Sequence, residues 1–100
     1  MMAWADLAGL QTADGCPLAQ AVVSEQVPAV NRRSTPALDP ANVVGGWVSG
    51  TRLMVWGCTV AEQPAGHWLL CQAGTGDVAL TWAHGVNLVR QIERKNLGGL

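Results

Sequence analysis

Four short runs with strand chemistry follow one another between positions 51 and 92, and the turns between them leave the chain few folds to choose from. The runs read TRLMVWGCTV, GHWLLCQ, GDVALTW and VNLVRQI. Gln63-Pro64-Ala65-Gly66 and Ala73-Gly74-Thr75-Gly76 supply hairpin connections, and Ala83-His84-Gly85 supplies a tight corner. Runs at hairpin spacing predict an antiparallel meander. In the third run Val78, Leu80 and Trp82 fall on one face and Asp77, Ala79 and Thr81 on the other, which predicts that the Trp82 face is the buried one. The first run is apolar on both faces: Leu53 and Val55 alternate with Met54, Trp56, Cys58 and Val60. A strand of that kind is central to a packed barrel or carries an interface.

Upstream of position 51 the pattern is weaker. Trp4, Leu7, Ala8 and Leu10 are spaced as on one face of a short helix, with Asp6 in its first turn. So short a helix has to dock, either on this core or on a neighbouring subunit. Asp14-Gly15 marks a turn, with Pro17 close behind. Residues 18–27 have an ambiguous period, and the β-branched pair Val22 and Val23 favours a strand. Three prolines, Arg32, Arg33, Ser34 and Thr35 make residues 28–40 a polar segment, expected to stay out of any central ladder as a loop or arm. After it come Val43 and Val44, a break at Gly45-Gly46, then Trp47-Val48 and a turn at Ser49-Gly50. The expected organisation is one domain, 1–100. It comprises an N-terminal segment (1–17), an arm or long loop (28–42), a β core (46–92) and a polar, then flexible tail (93–100).

One hundred residues suffice for one core, since a chain of this size buries more than ~60% of its unfolded surface. The surface is unusual. Apolar residues make up 49% of the chain and charged ones 13%, about half the ~25% of an average soluble domain. The formal net charge of −1 gives little repulsion between copies, and Lys95 is the one lysine. A free monomer is therefore expected to be sticky. The aromatic residues are five tryptophans, at positions 4, 47, 56, 68 and 82, with no Phe or Tyr. Each indole buries a large area and carries an N–H in need of a partner, which suits cores and interfaces alike.

The groups that could carry chemistry do not combine. Cys16, Cys58 and Cys71 are odd in number and lack zinc-ligand spacing, so no metal site and no structural disulfide is expected. Cys58 and Cys71 lie in neighbouring strand-like runs, where a thiol acts as a small buried hydrophobe. His67 and His84 each adjoin a glycine in a turn and have no acid or nucleophile nearby in sequence, which predicts hydrogen-bonding loop residues rather than catalysts. Gly45-Gly46 and Gly74-Thr75-Gly76 lack the strand-to-helix setting of a phosphate loop. No catalytic residue and no cofactor is expected. The leading residues lack a basic n-region and an apolar h-region, Cys16 lacks an aliphatic residue three positions before it, and no apolar run reaches the ~20 residues of a membrane span. Neither a secretory signal, a lipid anchor nor a transmembrane helix is expected.

The order of these features over residues 46–92 resembles the SH3-like small barrel. A short strand follows a long loop, then come two hairpins, a tight three-residue corner and the final strand Val86-Asn87-Leu88-Val89. The bacterial members are the more similar, with a Trp opening one strand (here Trp68) and a Trp closing the next (here Trp82). The resemblance implies a barrel that binds peptides, cell-wall fragments or nucleic acid, or that serves as a structural module. Peptide-binding members use a Tyr-rich groove, and this chain has no Tyr. A tetrameric reductase of this type carries a Val-Gln-Ile-Tyr pore strand; the run Val78-Ala79-Leu80-Thr81-Trp82 lacks the Gln and the Tyr, so that activity does not carry over. The fold expected is thus mainly β, a small SH3-like barrel or sandwich meander with a short N-terminal helix and a long Pro-containing arm.

Scarce charge, tryptophan content and the arm point to a non-enzymatic structural subunit of a larger assembly, such as a bacteriophage capsid decoration, cement or head-to-tail connecting protein. Its expected partners are copies of itself and a larger structural protein, with no small-molecule substrate and no membrane. Trp4, Arg32, Arg33, Trp47 and Trp56 are the expected interface residues, and the virion or the bacterial cytoplasm is the expected location. The second expectation is a nucleic-acid-binding barrel, with Arg32, Arg33, Arg90, Arg94 and Lys95 on phosphates and an exposed Trp stacking a base.

Overall fold

A computed structural model of the chain describes residues 4–12, 16–60, 66–73 and 80–91. They form one antiparallel sheet of seven strands: β1 (Ala19–Val23), β2 (Ala29–Arg33), β3 (Val43–Val48), β4 (Arg52–Cys58), β5 (Trp68–Ala73), β6 (Thr81–His84) and β7 (Leu88–Arg90). Their order in space is β3-β2-β6-β5-β4-β1-β7. Ala5–Leu7, Pro40–Asn42 and Gly85–Asn87 each form a single 3-10 turn.

Three of the four runs form the expected meander, β4 pairing with β5 and β5 with β6, with Val55 opposite Cys71 and Trp68 opposite His84, whereas the fourth, β7, leaves it across the turn Gly85–Asn87 and pairs with β1. The strand expected within residues 18–27 is β1, which lies between β4 and β7. Ala21, Val23, Val55, Leu69, Cys71 and Ala83 have no solvent-exposed surface, and residues from all seven strands join one buried cluster. Among the described residues no α-helix lies over that face. Its burial therefore requires the sheet to coil over itself, and small side chains at Ala21, Cys71 and Ala83 let the strands close in. Closure is incomplete: β3 and β7 are the two edges. The expected mainly-β class is observed, while a closed barrel is not.

Four further expectations are corrected. The N-terminal helix is only the 3-10 turn Ala5–Leu7, because Gly9 at φ 80° redirects the chain. The segment then runs along β4: Gly9 N donates to Cys58 O at 2.8 Å and Thr12 N to Trp56 O at 2.9 Å. Docking is thus on this chain's own core, where Trp4 and Leu7 are buried.

The arm is no arm. Ala29–Arg33 is β2, paired with β3 and, through Arg33 opposite Trp82, with β6. Gly45-Gly46 is no break either, since β3 runs straight through it opposite Arg32 and Asn31. The fourth correction concerns β6, whose alternation is real but of opposite phase: Thr81 and Ala83 are buried, Trp82 is half-buried and Leu80 is 43% exposed. The inner face at this point lies against Leu69 and Cys71, where only small side chains fit, so the indole goes to the outer face beside Leu70. Val78, both hairpin connections of the meander apart from Gly66 and Ala73, the end of the last run and the tail fall outside the described residues.

Candidate functional site

On the outer face, β2, the loop after it, the start of β5 and the end of β6 surround a cleft of about 80 Å³, lined by Val30, Asn31, Arg33, Leu38, Trp68, His84 and Asn87. Trp68, which opens β5, is 1% exposed and forms the floor. Register brings His84 opposite it, and the two rings meet edge to face at 4.9 Å between centroids. His84 Nδ1 accepts from Val86 N at 3.2 Å, which caps the 3-10 turn Gly85–Asn87 and places the ring proton of the neutral imidazole on Nε2. Gly66, at φ 141°, lies flat against that ring; a Cβ there would come within 2.5 Å of His84 Cε1. The imidazole is clamped.

The opposite wall is held by a knot of hydrogen bonds in the Pro-containing loop. Asn42, buried, donates through Nδ2 to Thr35 Oγ1 at 2.8 Å and Ala37 O at 2.9 Å. Its Oδ1 accepts from Arg33 Nη1 at 2.9 Å, and the same guanidinium nitrogen donates to Asp39 O at 3.0 Å. Asp39 Oδ1 in turn accepts from Ala41 N at 2.9 Å and caps the turn Pro40–Asn42. Arg33 thereby stands over Trp68, 6.0 Å from the ring centroid, while Leu38 rises from the loop at 59% exposure.

Arg33 supplies a positive charge, Asn31 and Asn87 supply amides, and among the described residues no carboxylate or thiol lines the cleft. At about 80 Å³ it is well below the ~300–1,000 Å³ of small-molecule pockets and accommodates about one side chain. His67, the other histidine, donates from Nδ1 to Thr59 O at 2.8 Å and serves the turn into β5. Both histidines are therefore hydrogen-bonding turn residues, as expected. Burial, aided by the negative charge of Asp6, pushes the Cys58 thiol up to about 11; burial raises Cys71 too. Each donates to a backbone carbonyl, Cys58 to Trp4 O or Thr59 O and Cys71 to Leu69 O, and neither is disulfide-bonded. Both shifts disfavour the thiolate, which is the nucleophilic form of a cysteine. Among the described residues no three His, Cys, Asp or Glu side chains converge as metal ligands, and no helix is long and apolar enough to cross a membrane.

The expected interface residues are scattered. Arg32 and Trp47 come together, the guanidinium 4.7 Å above the indole, with Arg32 Nε donating to Thr81 Oγ1 at 3.1 Å. Arg33 projects to the other face of β2, into the cleft. Trp4 is buried beneath Arg90, 5.5 Å from its ring centroid, and Trp56 is half-buried on β4. Of the expected five, Arg33 alone lines the cleft. Trp68 and His84 were visible in sequence as separate residues; what joins them is the β5–β6 register, which the sequence does not print. Asn31, Leu38 and Asn87 carried no signal. No protein-family model, no curated protein and no solved structure matches this chain.

Proposed function

We propose that the chain is a non-enzymatic interaction module that docks on a larger structural protein as a subunit of an assembly. The observation that carries this is the cleft: a tryptophan floor, an exposed leucine at the rim and amide and guanidinium donors around it, sized for one inserted side chain. Such a site recognises a protein segment by one apolar anchor and a few backbone hydrogen bonds. The sparse charge of the chain and the exposed valines Val44, Val48, Val86 and Val89 support the same reading, because an assembled subunit has neighbours to cover them. A bacteriophage capsid decoration or head-to-tail connecting protein is the concrete form proposed, located in the virion or in the bacterial cytoplasm before assembly.

An SH3-like module is the proposed fold family. It is supported by the adjacency β5-β4-β1-β7, by the 3-10 turn that joins β6 to β7 and by the β2–β3 hairpin inserted between β1 and β4. Nucleic-acid binding is the lesser reading, because Arg32, Arg33 and Arg90 are each engaged within the chain rather than standing together for phosphates.

Cross-linking of the native protein in its source cell, followed by mapping of the linked peptides, tests the proposal. Cross-links from the cleft rim to a larger structural protein are expected, and Leu38→Asp should remove them without changing the circular dichroism spectrum. Salt-dependent binding to oligonucleotides with no protein cross-link at the rim would overturn it.

A further inference from the structure

We infer that the cleft receives the C-terminal residue of a partner polypeptide, its side chain against Trp68 and Leu38 and its terminal carboxylate on Arg33. The inference rests on the docking reading above and names the part of the partner that enters. The cleft opens where two strands stop pairing: β2 meets β6 at Arg33 opposite Trp82, and among the described residues no further pair follows. Two residues on, Asn31 and His84 line the cleft.

Arg33 is a half-buried cation without a counter-charge. Among the described residues no carboxylate oxygen stands within 4.0 Å of it, and Asp39 of the adjoining loop turns Oδ1 to Ala41 N. Its Nη1 donates to both Asp39 O and Asn42 Oδ1, which takes up the two hydrogens of that nitrogen. The Nε–Nη2 edge is left over. That edge is a fork of parallel N–H groups, the geometry that grips a carboxylate through both oxygens. Asn42 is itself fixed by bonds to Thr35 and Ala37, so the guanidinium is held in place before any ligand arrives. One cation suits one negative charge. A nucleic-acid backbone would call for several, and Arg32 lies on the other face of β2, stacked on Trp47.

Size and lining select the end of a chain. At about 80 Å³ the cleft admits one side chain, and that side chain meets Trp68 and Leu38 with apolar atoms. An internal apolar residue brings no carboxylate, and an internal Asp or Glu spends its side chain on the charge. A C-terminal residue carries both on one Cα. The amides of Asn31 and Asn87, whose side chains make no hydrogen bond among the described residues, flank the place of the preceding peptide group and can both donate to it and accept from it.

The test is a nuclear magnetic resonance titration of the 15N-labelled chain with N-acetyl-leucine, its neutral amide N-acetyl-leucinamide, and the α-amide of N-acetyl-glutamic acid, whose one carboxylate is on the side chain. N-acetyl-leucine should shift the Arg33 Nε–H and Asn87 side-chain signals saturably, and the neutral amide should bind about tenfold more weakly. Asn87→Asp, which sets a negative charge in the cleft, should weaken the acid about tenfold and leave the amide unchanged. Equal binding of acid and amide, tighter binding of the glutamate α-amide, or an Arg33 signal that does not move would each overturn the terminus as occupant, while cross-links at the rim would still uphold docking. Carboxylate selectivity without rim cross-links would instead uphold the terminus and remove the larger structural protein as its source.

Discussion

Three of the chain's arginines lie on tryptophans: Arg32 on Trp47, Arg33 on Trp68 and Arg90 on Trp4. Each covers an indole with its aliphatic stem and planar head, a use that lysine fills poorly. Arg32→Ala should consequently destabilise the fold by about 1–2 kcal/mol in a denaturant titration, from the lost stacking, stem packing and bond to Thr81. Substitution of Arg32 and Arg33 is thus no clean probe of partner binding, contrary to what a free arm would allow. Arg90 also bonds Asp6 at 2.6 Å, and that hydrogen bond, followed by the charge of Arg90, holds the Asp6 carboxyl below its ordinary range. With the folded-state value lowered, the pair's contribution is complete above the ordinary carboxylate range and is lost as pH falls through the lowered value. Asp6 is well exposed, so the effect is small; a pH series of unfolding curves should be flatter in acid for Asp6→Asn. Thiol chemistry separates the cysteines: a water-soluble disulfide reagent should label Cys16, which is exposed, in the native state and reach Cys58 and Cys71 only on unfolding.

Among the strands, β6 gives the sharpest test of packing. Ala83→Leu forces three additional heavy atoms onto a face with no room and should cost about 1–3 kcal/mol or more. Trp82→Leu, on the half-buried face, should cost less, and thermal unfolding of the two variants ranks them. Gly85→Ala should also destabilise, because its Cβ would lie 2.9 Å from Trp4 Cδ1 and 3.0 Å from His67 O. Strands β4, β5 and β6 were legible as a meander because turn residues act locally, and β1 was legible through its β-branched pair Val22 and Val23; the departure of β7 to pair with β1 was not. The phase of β6 was not: periodicity says that faces differ, and only the space left by Leu69 and Cys71 says which one is inner. Strand β2 was hidden by its prolines and arginines. Pro28 precedes the strand and Pro36 follows it, so neither breaks the ladder, and the arginines are strand residues whose stems have indoles to rest on. The cleft was illegible for the same reason, since its walls come from strands that only pairing brings together.

At the scale of the molecule, one sheet does the work usually shared by two layers. The inner face is covered by the sheet's own curvature, and the outer face carries the cleft. Apart from the β2–β3 hairpin and the meander, the strand pairings join distant parts of the chain, so folding is expected in the slower range of small domains, milliseconds to seconds, by stopped-flow tryptophan fluorescence. The position of β1 bears on how the protein is made. Among the described strands it emerges from the ribosome first, yet its two neighbours are β4 and β7, the latter the last of them. Throughout synthesis β1 therefore waits, first with no neighbour and then with one, and a nascent chain stalled before residue 88 presents that waiting strand to whatever else is being translated nearby.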